Sequence, residues 1–198
     1  MATGIDLIVG LGNPGSQYLR TRHNVGFWLL DQLADTHRTM LREESRFSAE
    51  IGTASISGRR VVLMKPTTYM NLSGQAVGAY ARYFKVPPAN VLVVHDELDL
   101  PAGTVRLKRG GGHGGHNGLR DITAQIGGDF LRLRLGIGHP GSADQVVDYV
   151  LGAPAASDRE AIEDAIARGL SVLPGIVDGQ DEKIMNQLNR RDAGTGKK

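Results

Sequence analysis

The sequence predicts a single-domain α/β fold, with a twisted, mixed and largely parallel β-sheet flanked by helices. Short runs rich in β-branched residues alternate with segments of helical periodicity, and neither a repeat nor a linker divides the chain. A chain of 198 residues is long enough to bury one sizeable core. We therefore assign residues 1–188 to one domain and predict a disordered tail over residues 189–198, which ends in GTGKK.

Six segments have the composition of β-strands. Continuous apolar runs, typical of strands buried on both faces, occupy residues 5–9, 61–65 and 91–94. A fourth strand is predicted over residues 131–137. More exposed strands are predicted over residues 47–56 and 104–108.

Four segments have helical spacing. Residues 24–34 repeat apolar side chains at this spacing, and residues 73–84 do so up to the stop signal Pro87-Pro88. A third helix is predicted over residues 118–126. The fourth follows an acidic first turn, which suits the helix dipole, and is marked by Ile162, Ile166, Leu170 and Leu173.

Composition excludes several classes of protein. The absence of cysteine rules out a disulfide framework, a cysteine zinc site and a thiol nucleophile. The first residues lack the pattern of a signal peptide and no run is long enough to span a membrane, so we expect a cytoplasmic protein. The net charge of +2 says little about partners, but residues 106–134 are locally basic, which fits either a polyanion or a solvated face.

In open α/β sheets the working groups gather beyond the carboxyl ends of the strands. That rule selects four segments here, residues 10–24, 66–74, 95–100 and 110–117. The first contains Gly10-Leu-Gly-Asn-Pro-Gly15, which formally matches a dinucleotide fingerprint. The match is weak because Pro14 intervenes and the helical pattern starts only near Asn24. A tight turn that presents the Asn13 carboxamide is the other interpretation.

His23 and Asp96 are candidates for acid–base chemistry. Both are expected at the mouth of the sheet, and a carboxylate that holds one imidazole nitrogen leaves the other free to take a proton. A lone histidine is more often structural, and the sequence does not establish that these two residues meet. Without a cysteine or a Gly-x-Ser-x-Gly elbow, a base that activates water is favoured over a covalent nucleophile.

Two further segments carry polar groups. Asn71 or Ser73 can cap the second helix, while Asn71 can equally hold a water or an oxyanion. Residues 110–115 include five glycines, a composition that can turn backbone N–H groups toward an anion. A metal site is conceivable from His95, Asp99, His113 and His116, although the spacing matches no standard motif.

Taken together, these segments resemble the bacterial peptidyl-tRNA hydrolases. The resemblance covers roughly residues 5–185 and rests on six blocks in the family's order: residues 9–15, 21–24, 65–74, 95–99, 114–120 and 134–141. It implies a monomeric α/β enzyme that hydrolyses the ester between a peptide and the terminal ribose of tRNA. It implies no metal, no organic cofactor, no membrane and no obligate protein partner.

The resemblance also implies residue roles. His23 resembles the general base, Asp96 its orienting carboxylate, and Asn13 the residue that distinguishes N-blocked substrates from free aminoacyl-tRNA. The rest of the substrate pocket, which receives the CCA end, is implied to be Tyr18, Tyr69, Met70, Asn71, His116 and Asn117.

Contacts with the tRNA acceptor stem are less well defined. Lys108 and Arg134 resemble the phosphate-binding residues of the family, with Arg132 as the alternative to Arg134. One departure from the family is that the loop after Pro140 reads GSADQ where lysine is frequent. Since related folds also bind RNA without catalysis, an RNA-binding module is the competing hypothesis, and a dinucleotide-dependent enzyme is the third.

Overall fold

The computed structural model describes residues 4–193, which contain seven strands and six α-helices. The strands are β1 (Leu7–Gly10), β2 (Arg42–Glu44), β3 (Ala49–Ile56), β4 (Arg59–Pro66), β5 (Val91–Glu97), β6 (Val105–Arg109) and β7 (Leu131–Gly136). The helices are α1 (Val25–Thr36), α2 (Ser73–Phe84), α3 (Asn117–Ile126), α4 (Val146–Val150), α5 (Ala156–Val177) and α6 (Asp181–Ala193).

All seven strands form one sheet in the order β2-β3-β4-β1-β5-β7-β6. The four central strands, β4, β1, β5 and β7, are parallel, whereas β2, β3 and β6 join at the edges in antiparallel pairs. The predicted mixed, largely parallel sheet is therefore confirmed. Its parallel centre places the carboxyl ends of β1, β4, β5 and β7 along one side of the molecule.

Each face of the sheet is covered by its own helices and core. Residues of α1 and α5 pack with Ile8, Leu92 and Leu133 on one face. Residues of α2 and α3 pack with Val9, Val93 and Phe130 on the other. Because neighbouring strand residues point to opposite faces, β5 contributes alternately to both cores, which explains its continuous apolar run.

The predicted strands and helices are all present, with small shifts at their ends. Helix α2 begins and ends at the predicted residues, and α3 begins one residue earlier than predicted. The prediction of a tail from residue 189 was wrong for its first part, because α6 continues through Ala193. Ile184 and Leu188 anchor this helix in the core. Residues 194–198 lie outside the described part of the chain.

The sequence did not predict β2, α4 or α6. Strand β2 is exposed throughout and exists because Arg42 to Glu44 pair with β3. Helix α4 has only five residues. Among the helices of residues 4–193, none combines the length and apolar character needed to cross a lipid bilayer.

Candidate active site

A pocket of about 320 Å³ opens beyond the carboxyl ends of β1 and β5. Its polar wall carries side chains from the segments that follow β1, β4 and β5 and from the start of α3. Its apolar wall comes from α4 and the residue after it. We call it the apolar pocket, and its lining includes Asn13, His23, Tyr69, Met70, Asn71, Asp96, His116, Asn117, Val146, Val150 and Leu151.

His23 and Asp96 meet at the floor of this pocket. His23 Nδ1 lies 2.8 Å from Asp96 Oδ2, although the two residues are 73 positions apart. Close packing of α1 on the strand ends brings them together, since a Cβ on Gly26 would lie 2.4 Å from the Val94 carbonyl oxygen. A carboxylate only accepts hydrogen bonds, so Nδ1–H donates and the lone pair of a neutral His23 is on Nε2.

The charges of this pair are coupled. Burial disfavours protonation of His23, but the charge of Asp96 and its hydrogen bond outweigh burial and raise the pKa of His23 above its ordinary value. Burial likewise opposes ionisation of Asp96, yet His23 and His116 hold the pKa of this carboxyl well below its ordinary range. Asp96 is therefore a carboxylate at neutral pH, with only 2% of its side chain exposed.

His116 is hydrogen-bonded to the second carboxylate oxygen of Asp96. Its Nε2 lies 2.8 Å from Asp96 Oδ1, and its Nδ1 accepts the N–H of Leu119 at the start of α3. Because Nδ1 is an acceptor, the hydrogen of the neutral ring is on Nε2 and is donated to Asp96. His116 lines the pocket, and both of its ring nitrogens are bonded within the protein, to Asp96 and to Leu119.

Asn13 is held from two sides. Its backbone N–H donates to Asn24 Oδ1, and Asn24 Nδ2 donates back to the Asn13 carbonyl, both at 2.9 Å. The Asn13 side-chain oxygen accepts the N–H of Met70 at 2.7 Å. This last bond fixes the amide orientation and leaves Nδ2 as the donor of Asn13 in the pocket wall.

The remaining predicted pocket residues lie around this centre. Tyr69, Met70, Asn71 and Asn117 line the pocket, and Asn71 and Asn117 are exposed. Tyr18 is not in the lining but contacts Tyr69 edge-on, with ring centroids 6.4 Å apart. It therefore supports the rim of the pocket.

Neither Asn71 nor Ser73 caps α2, contrary to the alternative considered from the sequence. The cap position is Leu72, and the Ser73 hydroxyl donates to the Met70 carbonyl oxygen. The Gly74 N–H instead donates to Asp121 Oδ2 of α3 at 2.7 Å. A carboxylate from the neighbouring helix thus satisfies the N-terminus of α2 and suits its dipole.

A second cavity, of about 220 Å³, lies on the α3 face of the sheet. We call it the cationic pocket; its lining includes His95, Glu97, Lys108, His113, Arg132 and Arg134. Lys108 and Arg134, the predicted phosphate contacts, are both in this lining. Lys108 is exposed, and Arg134 pairs with Glu97 at 2.7 Å.

Arg132 differs from Arg134 in depth. Arg132 is only 3% exposed, and its guanidinium donates to the carbonyl oxygens of Gly111 and Gly112. These bonds hold the glycine segment against β7 and occupy the groups that would otherwise meet a phosphate. The arrangement favours Arg134 as the arginine available to an anion.

The glycine segment, residues 110–116, does not follow the carboxyl end of a parallel strand, so the rule that functional groups gather at such ends does not explain its place in the site. Strand β6 is antiparallel to β7, so Gly110 begins at the opposite end of the sheet from the pocket. Residues 110–116 return across the α3 face, with φ of 57° at Gly114 and 79° at Gly115. Such angles favour glycine, and they let the chain turn so that His116 contacts Asp96.

The two cofactor alternatives find little support in the geometry. After Gly15 the chain enters a three-residue 3-10 turn, and α1 begins only at Val25, so the Gly10 turn does not lead directly into a helix as a dinucleotide fingerprint requires. Within residues 4–193, the group with metal-ligand chemistry is His23, Asp96 and His116, which differs from the set of His95, Asp99, His113 and His116 that the sequence made conceivable. Hydrogen bonds among these three residues account for their proximity.

Comparison with known proteins agrees with this geometry. The family profile described as peptidyl-tRNA hydrolase matches residues 7–195. The chain belongs to the peptidyl-tRNA hydrolase family. It is 56% identical over 186 residues to the peptidyl-tRNA hydrolase of Methylococcus capsulatus, covering 93% of this chain and 99% of that one. The Neisseria gonorrhoeae peptidyl-tRNA hydrolase is 50% identical over 192 residues, covering 96% of this chain and all of the relative.

Solved structures show the same similarity. The crystal structure of peptidyl-tRNA hydrolase from Acinetobacter baumannii superposes with a TM-score of 0.93 at 48% sequence identity, covering 96% of both chains. This level of agreement extends over the whole sheet and its helices, so the α/β architecture is that of the peptidyl-tRNA hydrolase family.

Sequence reasoning missed three contributions to this peptidyl-tRNA hydrolase site. In the sequence, Asn24 marked only the start of the helical pattern and the end of the block 21–24, yet it is 1% exposed and fixes the Asn13 backbone. Asp121 carried no signal, because its partner Gly74 belongs to another helix. The apolar wall on α4 was missed too, although Val146 and Val150 are four positions apart, a helical spacing that marks one face.

Proposed function

We propose that this chain hydrolyses the ester between the peptide, or N-blocked aminoacyl group, and the terminal ribose of tRNA, which recycles tRNA from prematurely released peptidyl-tRNA. The observation that carries the proposal is the His23–Asp96 pair at 2.8 Å on the floor of the apolar pocket. Membership of the peptidyl-tRNA hydrolase family supports the choice of substrate.

The proposed reaction uses one base and one water. His23 Nε2 removes a proton from the water while its oxygen attacks the ester carbonyl carbon, which gives a tetrahedral oxyanion. The bond from that carbon to the ribose oxygen then breaks, and the protonated His23 returns its proton to the leaving oxygen. The charge of Asp96 stabilises the imidazolium of His23, and the hydrogen bond from His116 holds Asp96 in place.

Asparagine side chains supply neutral donors around this centre. Asn71 and Asn117 are proposed to hold the ester carbonyl and the ribose, because both line the pocket and do not titrate. Asn13 Nδ2 is proposed to donate to the carbonyl of the blocking group. A free aminoacyl-tRNA has an ammonium there and no such acceptor, so Asn13 favours the blocked substrate. Tyr18, Tyr69, Met70 and the ring of His116 complete the proposed substrate contacts.

The tRNA itself is proposed to bind across the cationic pocket. In this proposal Lys108 and Arg134, which both line the cationic pocket, bind phosphate of the acceptor stem while the CCA end enters the apolar pocket. Contacts of this kind are strong at low salt and largely independent of sequence. We propose that the protein acts as a monomer in the cytoplasm.

The test is release of tRNA from N-acetyl-phenylalanyl-tRNA, with unblocked phenylalanyl-tRNA and EDTA-treated protein in parallel. We expect cleavage of the blocked substrate only, with the same rate after EDTA treatment. A folded protein that binds tRNA under single-turnover conditions but cleaves neither substrate would contradict the proposal and favour an RNA-binding module. Loss of cleavage with EDTA, restored by added Zn²⁺, would contradict the metal-free mechanism.

A further inference from the structure

The apolar wall of the active-site pocket stands on a very short helix. Helix α4 has five residues and lies between the loop after β7 and Gly152. A helix of this length has too few internal hydrogen bonds to be stable alone, so its position depends on contacts with the rest of the protein. Val150 packs into the core on one side, while Val147 is 64% exposed on the other.

Arg22 provides polar contacts that hold α4 in place. Its Nη1 donates to the Tyr149 carbonyl oxygen at 2.9 Å, and its guanidinium carbon lies 3.9 Å from the centroid of the Tyr149 ring. The backbone N–H of Arg22 donates to the Gly152 carbonyl oxygen at 3.0 Å. The Tyr149 hydroxyl in turn donates to the Ile137 carbonyl oxygen at 2.6 Å.

Arg22 is also the residue before His23, and both belong to one 3-10 turn, Arg22–Asn24. Within this turn, His23 is bonded to Asp96 and Asn24 is bonded to Asn13. The turn is therefore fixed on the polar side of the pocket by two of its residues. Through Arg22 the same turn also contacts α4, which forms the apolar side of the pocket.

We infer that Arg22 is a positioning residue, which sets the distance between the apolar wall on α4 and the base His23; this inference rests on the proposed function. A peptidyl group bound between α4 and Met70 then keeps its ester in line with His23 Nε2. Positioning matters because a displacement of about 1 Å can cost roughly 100-fold in rate. Arginine suits the role because its planar guanidinium stacks on the ring while its N–H groups donate to a carbonyl, whereas an ammonium has no planar face to stack.

The consequence is a dependence on the acyl group. If α4 contacts the side chain of the blocked aminoacyl residue, a loosened wall weakens binding of a large apolar side chain and hardly affects glycine, which has none. The His23–Asp96 hydrogen bond does not involve Arg22, so the pH at which activity rises is expected to stay unchanged.

The experiment compares Arg22→Lys with wild type on N-acetyl-phenylalanyl-tRNA and N-acetyl-glycyl-tRNA. We expect kcat/KM for the phenylalanyl substrate to fall about 10-fold and kcat/KM for the glycyl substrate to fall less than 2-fold, with an unchanged pH profile. Arg159→Lys is the matched control, because Arg159 also lies over an aromatic ring, Trp28 at 5.1 Å, but on the exposed surface. It should leave both substrates unaffected.

A second variant guards against a folding defect in Arg22→Lys. Tyr149→Phe keeps the ring under Arg22 and removes only the bond to Ile137, so the same selective fall in kcat/KM is expected at smaller size. Equal effects on both substrates, or none, in a folded Arg22→Lys would overturn the inference. If Arg22→Lys does not fold, an unchanged kcat/KM for both substrates in Tyr149→Phe overturns the inference. Wild type that cleaves neither substrate contradicts the proposed function instead.

Discussion

The apolar and cationic pockets share the end of β5, but their proposed functional groups differ in burial and in hydrogen bonding. In the apolar pocket, Asp96 is bonded to His23 on one oxygen and to His116 on the other, and all three are largely withdrawn from water. In the cationic pocket, Lys108 stands exposed on β6. The reacting groups need a fixed geometry and an adjusted pKa, whereas an anchor for phosphate needs only charge at the right place.

Alternation along β5 produces this division. Asp96 points to the face of α1, where His23 lies, while His95 points to the face of α3. His95 is 1% exposed, and burial together with the neighbouring His116 lowers the pKa of His95 to about 3. Two consecutive residues therefore differ in charge at neutral pH: Asp96 is an ionised carboxylate bonded to the base, and His95 is an uncharged imidazole.

The largest effect is expected from His23→Ala. Loss of the general base should lower kcat by about 10²- to 10⁴-fold while the affinity for tRNA stays close to that of wild type. Single-turnover cleavage and a separate tRNA-binding titration measure the two quantities. His37→Ala, at the end of α1, is the matched control. A kcat within about 3-fold of wild type in His23→Ala would refute its assignment as the base.

A smaller loss is expected from Asp96→Asn, about 10- to 100-fold in kcat, because the base remains but loses its carboxylate. The pH profile gives the sharper test. In wild type the raised pKa of His23 means that activity increases as pH rises through a value above 6.5. Without the charge of Asp96, burial lowers the pKa of His23, so this increase should move to lower pH. A profile that does not move would mean that Asp96 does not act on His23.

Lys108→Ala tests the proposed role of the cationic pocket in binding tRNA phosphate. Because Lys108 is proposed to bind phosphate and not to act in the chemical step, we expect KM to rise several-fold with kcat nearly unchanged. The slope of log KM against log salt should fall by about 1. Lys183→Ala, an exposed lysine of α6, is the control. A change in kcat without a change in salt slope would contradict the division between the two pockets.

Local sequence signals account for much of the fold. Helix α2 was predicted at both ends because its apolar face, with Val77 and Tyr80, and its stop at Pro87-Pro88 lie within one segment. Strand β2 and helix α6 depend on distant partners: β2 on its pairing with β3, and α6 on the core in which Ile184 and Leu188 are buried. Their own residues are mostly polar, so composition could not reveal them.

The candidate site was predictable in its residues but not in its contacts. His23 and Asp96 could be placed near strand ends, but their meeting depends on β1 and β5 being neighbours. Arg132 and Arg134 are two positions apart on β7 and so point to the same face. Only their depth under the glycine segment distinguishes them, and depth is set by the path of residues 110–116.

The last prediction concerns the pH dependence of stability and uses the neutral His95. Its folded-state pKa of about 3 lies below the ordinary 6.5, so the unfolded chain binds a proton that the native protein does not. Stability from this residue is therefore present above pH 6.5 and is lost as pH falls toward 3. The slope approaches about 1.4 kcal/mol per pH unit at most.

Between pH 6 and 4.5 the contribution of His95 can be separated from that of the catalytic pair. His23 has the opposite sign, since its raised pKa adds stability that is already complete below 6.5, and Asp96 stays ionised in the native state throughout this range. We expect the free energy of unfolding, from urea titrations, to fall less steeply with decreasing pH in His95→Gln than in wild type. Equal slopes would mean that the native protein accommodates a charged His95, and that burial does not keep His95 uncharged beside the ionised Asp96.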